Sequence, residues 1–154
     1  MHEPVATLNR KLNYLLAETD AAYHDLALKL GLADSTMMIL YALTDAQGRC
    51  PLQSLYRGTG QSKQTISSAL HKLEADGFVS LVPADKKSKI VCLTDKGKAL
   101  AARTAGRVAV LENEIYEAWP QADLERYLAL TEKYLNDLRQ KIKALEITST
   151  DTVI

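Results

Sequence analysis

The sequence predicts a mainly α-helical chain with a small β-hairpin near its middle. Apolar residues recur every three or four positions over long stretches at both ends, which is the spacing of one helical face. Between these stretches, two short runs rich in β-branched residues flank a polar segment, as in a hairpin. With 154 residues, 47% hydrophobic and 25% charged, the chain has the size and composition of one globular domain. We therefore assign residues 1–154 to a single domain.

The N-terminal stretch predicts a first helix over residues 5–30. Its stripe consists of Val5, Leu8, Leu12, Leu15, Thr19, Ala22 and Leu26. The pattern ends at Gly31, a residue that commonly follows a helix. A second helix is expected to run to Gly48, with Asp34 or Ser35 as its N-cap.

The middle of the chain predicts two short helices joined by a glycine-containing turn. The first helix covers residues 51–57, and the turn covers residues 58–60. Ser62 can cap the second helix, which Gly77 ends. A short helix, a turn and a second helix together form a helix-turn-helix.

Two strand-like runs follow this pair of helices. Residues 78–82 and 90–93 are joined by residues 83–89, which are polar and basic. Thr94 can then cap a further helix. Because a basic hairpin next to the second helix has the shape of a wing, residues 34–97 are predicted to form a winged helix-turn-helix.

The C-terminal third predicts a second set of helices over residues 98–146. A stripe of Val108, Leu111, Ile115 and Trp119 ends at Pro120, which disfavours helix at the residue before it. A seven-residue repeat follows, formed by Leu124, Leu128, Thr131, Leu135, Leu138, Ile142 and Leu145. Such a seam usually pairs with another helix.

These two helical arms predict a homodimer. The arms at residues 5–30 and 98–146 have more apolar surface than the small middle section can cover. We therefore expect them to be dimerisation helices that interleave between two chains. A bundle formed within one chain is the alternative that the same stripes allow.

Charges are unevenly distributed along the chain. Lys plus Arg is 19 and Asp plus Glu is 19, so the net charge is zero. Residues 57–98 contain eight basic and four acidic residues, which leaves 11 basic and 15 acidic residues elsewhere. A basic middle between acidic ends is typical of a nucleic-acid binder, although a solvated surface with a local bias gives the same count.

The exposed face of the second helix of the pair carries candidate DNA contacts. They are Ser62, Lys63, Gln64, Thr65, Ser67, Ser68 and Lys72, with no acidic residue before Glu74. The N–H groups and dipole of a helix start favour phosphate, and glutamine and lysine can bond base edges. We expect Ser62, Gln64, Thr65 and Ser67 to face the major groove. The lysines are expected to contact mainly phosphates or the minor groove.

Four segments in this order resemble the MarR family of transcription regulators (multiple-antibiotic-resistance type). They are Ser62-Lys-Gln-Thr-Ile-Ser67, Leu73-Glu-Ala-Asp-Gly-Phe-Val79, the basic hairpin and Leu93-Thr-Asp-Lys-Gly97. The resemblance implies a dimeric winged helix-turn-helix protein that binds a palindromic operator and often releases it when a small molecule binds. We therefore expect a cytoplasmic, sequence-specific regulator, a repressor, that binds a pseudo-palindromic operator in double-stranded DNA.

Two positions depart from the pattern of the family. Its wing usually carries Asp-x-Arg, whereas this chain has Asp85-Lys86-Lys87, and lysine lacks the planar fork of arginine. Ser68 stands where many members have arginine. We still assign Lys86, Lys87 and Lys89 to phosphates or the minor groove, with modest affinity. The departures leave open a rival interpretation, a winged-helix interaction module that binds protein.

The resemblance also implies an effector pocket where the dimerisation arms meet the winged domain. Residues that could line it are Tyr14, Tyr23, His24, Met38 and Tyr41, although Tyr and Met at helical spacing are more often core residues. Tyrosine rings stack, and their hydroxyls donate hydrogen bonds to a carboxylate. We therefore expect a small, aromatic, weakly acidic effector.

Two cysteines suggest a second way of responding to a signal. They are too few for a disulfide scaffold and fit a reducing cytoplasm. Cys50 precedes Pro51 at a helix start, where the pKa of a thiol can be lowered, and Cys92 lies in the second wing strand. A thiol-based redox sensor is therefore an alternative, and apolar filling of the core is the simpler role for both cysteines.

The sequence indicates neither catalysis nor metal binding. The glycines at positions 58 and 60 lie between helices rather than after a strand, so they do not form a dinucleotide-binding loop. The three histidines lack metal-ligand spacing. No run approaches the ~18 apolar residues of a membrane span. We expect no catalytic residue, cofactor or metal, and no membrane association.

Overall fold

The computed structural model describes residues 2–145, most of which are helical. In chain order the elements are α1 (Val5–Lys29), α2 (Asp34–Asp45), β1 (Arg49–Pro51), α3 (Leu52–Gly58), α4 (Lys63–Ala75), β2 (Val79–Pro83), β3 (Lys89–Leu93), α5 (Asp95–Arg103), α6 (Ala105–Glu117) and α7 (Gln121–Ala144). Residues up to Val110 form one compact unit, and residues from Leu111 onward form a second. A mainly helical chain with one small antiparallel sheet confirms the predicted fold class.

A three-stranded antiparallel sheet in the order β1-β3-β2 forms the wing and its base. β2 and β3 pair along their full length, which confirms the predicted hairpin. The sequence pattern does not predict β1, because Pro51 also fits a helix start. In the structure Pro51 does both, since it ends β1 opposite Ile90 and is the N-cap of α3.

Helix α2 contributes most to the core of the first unit. The largest fully buried side chains are Ile39, Leu40 and Leu43 of α2, Leu55 of α3, Ile66 of α4 and Val91 of β3. Burial of each such side chain contributes about 1.5–3 kcal/mol. Ile66, Leu70 and Leu73 form the buried face of α4, as predicted. The opposite face of α4 is therefore held at the surface.

The junction of α1 and α2 differs from the prediction in its cap. Ala33, not Asp34 or Ser35, is the N-cap of α2, and no side chain bonds the free N–H groups there. Asp34 is the first residue of the helix, and its carboxylate lies 2.9 Å from Nδ1 of His24 on α1. A carboxylate in the first turn is favoured by the helix dipole, so Asp34 supports the start of α2 without capping it.

Helices α1 and α2 meet at an angle of 90°. Gly31 ends α1 with a φ of +74°, a left-handed conformation that favours glycine. Within residues 2–145, no single helix is long and apolar enough to cross a membrane, and this pair reaches the required length and hydropathy only when its two helices are taken together.

Helices α5 and α6 are separated at Thr104, a break that the apolar stripe does not predict. Thr104 is buried and has a non-helical backbone, with φ −126° and ψ −91°. Its hydroxyl donates a hydrogen bond to the carbonyl oxygen of Leu100 at 2.7 Å. The polar side chain is therefore satisfied inside the core, where an unpaired hydroxyl would be costly.

Helix α7 carries the predicted seven-residue seam in the second unit. Pro120 is its N-cap, and the ring of Trp119 lies edge-on to Tyr116 and Tyr127. No residue of α7 is buried in the single chain, and the seam from Leu128 to Leu145 is 40–66% exposed at its apolar positions. The predicted end of this arm, residue 146, lies outside the described residues.

Candidate nucleic-acid interface

The N-terminus of α4 is closed by the predicted cap. Oγ of Ser62 accepts a hydrogen bond from the backbone N–H of Thr65 at 3.2 Å. The two hydroxyl oxygens of Ser62 and Thr65 lie 2.7 Å apart. Ser62 therefore has a structural task, and its hydroxyl is already engaged before any DNA is bound.

The exposed face of α4 is polar and basic over its first three turns. Lys63, Gln64, Thr65, Ser68 and Lys72 are exposed, and Ser67 is half-buried. The first turn contains no acidic residue. Positive helix-end charge and uncharged hydrogen-bonding side chains thus face solvent together, which is the chemistry that suits phosphates and base edges.

Lys63 is held by an aromatic ring of the preceding helix. Its Nζ lies 5.3 Å from the centre of the Tyr56 ring on α3, within the range of a cation–π contact. This contact crosses the turn of the helix-turn-helix and orients a charge that would otherwise be free to rotate. The sequence pattern does not predict the pair, because the two residues are seven positions apart and lie on different helices.

The tip of the wing is shaped by Asp85. Its Oδ1 accepts hydrogen bonds from the backbone N–H groups of Lys87 at 2.8 Å and Ser88 at 2.9 Å. The Lys87 N–H, followed by the side chain and N–H of Ser88, lowers the pKa of the Asp85 carboxyl. Asp85 is therefore an ionised turn residue, and the lysines around it, Lys86, Lys87 and Lys89, are all exposed.

Three residues at the start of α5 contact the junction between α4 and β2, and we call them the α5 clamp: Thr94, Lys96 and Gly97. Nζ of Lys96 donates a hydrogen bond to the carbonyl oxygen of Asp76 at 2.7 Å. The hydroxyl of Thr94 donates to the carbonyl oxygen of Gly77 at 2.7 Å, and it also caps α5 by accepting from the N–H of Gly97 at 3.0 Å. These bonds give the segment after the hairpin a structural role, because they hold the start of α5 against the α4–β2 junction. The spacing of its residues in the sequence did not predict this role.

The candidate effector residues fall into two groups. Tyr23 and His24 lie near the end of α1, and Met38 and Tyr41 lie half-buried on α2, which the contact between His24 and Asp34 ties to α1. Tyr14 is nine residues before Tyr23, so helix geometry puts it about 13 Å away on the opposite face of α1. Tyr14 is therefore not brought together with the other four.

The environment of Cys50 favours core filling over a reactive thiol. Cys50 is buried in β1, and desolvation, followed by the neighbouring Cys92, raises the pKa of its thiol. In the sheet register, Cys50 lies opposite Val91 and Cys92 lies opposite Arg49, so the two cysteines point to opposite faces. A protonated, buried thiol reacts slowly with oxidants, because the thiolate is the reactive form.

Known proteins resemble this chain in sequence and in fold. The sequence model of the MarR family matches residues 30–88, which include α2, α3, α4 and β2. A MarR-family transcriptional regulator from Silicibacter pomeroyi is 25% identical, with a TM-score of 0.64 over 88% of this chain and 90% of that one. A MarR-family regulator from Neisseria meningitidis is 17% identical, with a TM-score of 0.75 over 92% and 98% of the two chains.

A third solved structure concerns control by a small molecule. It is BpsR of Bordetella bronchiseptica, whose DNA binding is regulated by 6-hydroxynicotinic acid. It is 21% identical, with a TM-score of 0.61 over 80% of this chain and 98% of that one. No curated protein shows significant sequence similarity to the chain.

Proposed function

Because the chain belongs to the MarR family of transcription regulators, we propose that it binds a pseudo-palindromic operator as a homodimer and represses transcription there. The family consists of DNA-binding regulators rather than enzymes, so no catalytic role is assigned to any residue. The protein acts where operator DNA is found, in the cytoplasm. An operator occupied by the dimer is closed to other proteins, which is the basis of the proposed repression.

The observation that carries the proposal is the acid-free, exposed N-terminal half of α4. Its buried face fixes its orientation, and Gln64, Thr65 and Ser68 point outward with no acidic neighbour in the first turn. Glutamine bonds the edge of adenine through two atoms, and such a pair discriminates against a wrong base by about 1–3 kcal/mol. Ser67 is half-buried and Ser62 is engaged in the cap, so Gln64 is our main candidate for base recognition.

The wing and the lysines of α4 supply the contacts that do not depend on sequence. Lys63, Lys72, Lys86, Lys87 and Lys89 are exposed, and we assign them to phosphates or to the minor groove. Each phosphate that a lysine neutralises releases bound counterions, so DNA affinity falls as salt rises. A binding surface of this kind predicts a steep dependence on salt.

A dimer is required because one α4 covers only one half-site. The apolar stripes of α1 and α7 are exposed in the single chain, for example at Leu12, Leu15, Leu128 and Leu138. A second copy of the chain covers these stripes in the proposed homodimer. Two-fold symmetry then places two α4 helices about 34 Å apart, which corresponds to half-sites one turn of DNA apart.

We place the effector site at the junction of α1 and α2. Tyr23 and His24 on one side and Met38 and Tyr41 on the other offer rings, hydroxyls and a polarisable thioether to a small aromatic acid. A relative, BpsR, is regulated by an aromatic acid of this kind. The effector releases DNA if it binds the DNA-incompetent form more tightly, by about 1–3 kcal/mol.

Binding to random-sequence DNA tests the proposed function. The purified protein is used to select duplexes from a random pool, and affinity for the selected duplex is measured over a series of salt concentrations. We expect a pseudo-palindromic sequence, a 2:1 ratio of chains to duplex and a linear fall of log affinity with log salt. No enrichment and no salt-dependent affinity would instead favour the rival, a winged-helix module that binds protein.

The effector site is tested on the same complex. Operator affinity is measured with salicylate and with 6-hydroxynicotinic acid, on the wild type and on a Tyr23→Phe, Tyr41→Phe variant. We expect an aromatic acid to weaken binding by the wild type and to act less on the variant, which lacks both hydroxyls. Release by peroxide alone, abolished in a Cys50→Ser, Cys92→Ser variant, would replace this site with a thiol switch.

A further inference from the structure

Lys96 contacts the end of α4 across 20 positions of sequence. Its Nζ donates a hydrogen bond to the carbonyl oxygen of Asp76, the C-cap of α4, at 2.7 Å. The same Nζ lies 4.4 Å from the centre of the Phe78 ring, at the residue before β2. One ammonium group therefore contacts both ends of the turn that connects α4 to the wing, the Asp76 carbonyl oxygen at one end and the Phe78 ring at the other.

The charge of Lys96 fits this place. The last carbonyl groups of a helix lack partners within the helix and carry the negative end of its dipole, so a cation there is stabilised. The face of an aromatic ring also attracts a cation. The rest of the clamp holds the same turn, since Thr94 bonds the carbonyl oxygens of Gly77 at 2.7 Å and Phe78 at 3.1 Å.

We propose that Lys96 is a positioning residue for operator recognition, fixing α4 and the wing against α5 without touching the DNA. This inference rests on the proposed function of α4. The contact lies at the C-terminal end of α4, about 20 Å along the helix from Ser62, where the DNA contacts are assigned. Although Lys96 is exposed and part of the basic surplus of the middle section, its charge is bound by groups of the same chain.

Positioning matters more for specific than for non-specific binding. Gln64 can bond both atoms of a base edge only when α4 enters the groove at one angle, while the wing contacts the backbone beside it. Phosphate contacts through flexible lysines tolerate a change of angle. Loss of Lys96 is therefore expected to lower affinity for the operator while leaving affinity for unrelated DNA almost unchanged.

The test compares Lys96→Met with Lys98→Met, which removes the same charge two residues further along α5. Lys98 is exposed and makes no contact with the α4–β2 turn among the described hydrogen bonds. Affinities for the selected operator and for a scrambled duplex are measured against salt, well below the melting temperature of each variant. Hydrogen exchange at the Phe78 amide, which donates to the carbonyl oxygen of Leu73 at 2.9 Å, reports on the turn itself.

For Lys96→Met we expect about a tenfold loss of operator affinity, unchanged affinity for the scrambled duplex, an unchanged salt slope and faster exchange at Phe78. Lys98→Met should behave as the wild type, and Lys96→Arg, which keeps a charged donor, should restore most of the affinity. If Lys96→Met does not fold, Lys96→Gln, which lacks the charge and is one atom shorter, takes its place with the same expectations.

Two results would overturn the inference alone. One is equal loss on both duplexes with a shallower salt slope, which would make Lys96 a phosphate contact. The other is unchanged operator affinity in a folded Lys96 variant. A wild-type protein without salt-dependent affinity for any duplex would overturn the proposed function, and this inference with it.

Discussion

The carbonyl oxygen of Phe78 occupies the space that a side chain at Gly97 would need. A Cβ atom on Gly97 would lie 1.8 Å from this oxygen and 2.9 Å from the carbonyl carbon. Both are backbone atoms of the turn between α4 and β2, so neither can move without moving the turn. The first turn of α5 thus approaches the base of the wing more closely than any residue other than glycine allows.

Replacing Gly97 with alanine is expected to destabilise the protein. Forcing an atom into this contact must separate α5 from the α4–β2 turn, at a cost of ~3 kcal/mol. Gly58→Ala is the matched control, since a Cβ atom there meets nothing within 4 Å and the residue is helical. The control should be neutral or slightly stabilising. Thermal unfolding of both variants checks this, and equal melting temperatures would contradict the close approach.

The sequence predicts this fold well wherever one local pattern determines a helix or strand. The stripes of α1 and α7, the Ser62 cap and the hairpin all follow from spacings of a few residues. The bond from Lys96 to Asp76 spans 20 positions, so only the folded chain brings these residues together. The motif that contains Lys96 was visible as a resemblance, but its physical task was not.

The sequence patterns did not predict very short strands or side-chain contacts between different helices. β1 has only three residues and forms because Cys50 pairs opposite Val91 of β3. No local run of strand-forming residues in the sequence therefore predicts it. Burial in this strand also raises the pKa of the Cys50 thiol, whereas a helix start alone favours a lower one. Asp34 has the chemistry of an N-cap, yet it bonds His24 of α1 and leaves the cap to Ala33. Among the candidate site residues, the exposure of α4 was predictable, and the engagement of Lys63 by Tyr56 was not.

Removing two charges from the wing should reduce the salt dependence of DNA binding. In a Lys86→Ala, Lys87→Ala variant, the slope of log affinity against log salt should become less steep by about 2 units per wing that contacts phosphate. Operator and unrelated DNA should lose affinity alike, because phosphates carry no sequence. A Lys141→Ala, Lys143→Ala variant removes the same charge from α7 and should keep the slope. An unchanged slope in the wing variant would remove the wing from the interface.

Asp85 offers a test in which shape and charge predict opposite results. Asp85→Asn removes a negative charge from the proposed DNA interface but keeps an oxygen that can accept from the N–H groups of Lys87 and Ser88, so DNA affinity should rise. Asp85→Ala removes the same charge and the turn, so affinity should fall. Since the pKa of Asp85 is lowered in the folded chain, its support of the turn is complete above the ordinary aspartate pKa and is lost as pH falls through the lowered value. DNA affinity measured between pH 6 and 8 should therefore show no titration of Asp85. If Asp85→Ala binds DNA more tightly than the wild type, the charge of Asp85 matters for binding and the turn that it supports does not.

Burial of Cys50 predicts unequal thiol reactivity. In the native protein, a thiol reagent should modify half-buried Cys92 first and Cys50 much more slowly, and both should react alike in denaturant. Because folding raises the pKa of Cys50, its contribution to stability is present below the ordinary thiol pKa and is lost as pH rises through the raised value. Single Cys50→Ser and Cys92→Ser variants assign the two rates. Fast modification of Cys50 at neutral pH would revive the redox alternative.

A charge in the seam of α7 should dissociate the proposed dimer. Leu135 and Leu138 are 43% and 40% exposed in the single chain, so a partner helix must cover them if the seam is an interface. Leu135→Asp then places an unpaired carboxylate in a buried apolar contact, which costs several kcal/mol. Gln140→Asp adds the same charge on the opposite face of the helix, five residues further on, and should leave the dimer intact. Sedimentation velocity at micromolar concentration distinguishes the two variants.

Since one α4 contacts only one half-site, the dissociated variant should also lose the 2:1 complex with the operator. A wild-type chain that sediments as a folded monomer would contradict the dimer and, with it, the palindromic form of the operator.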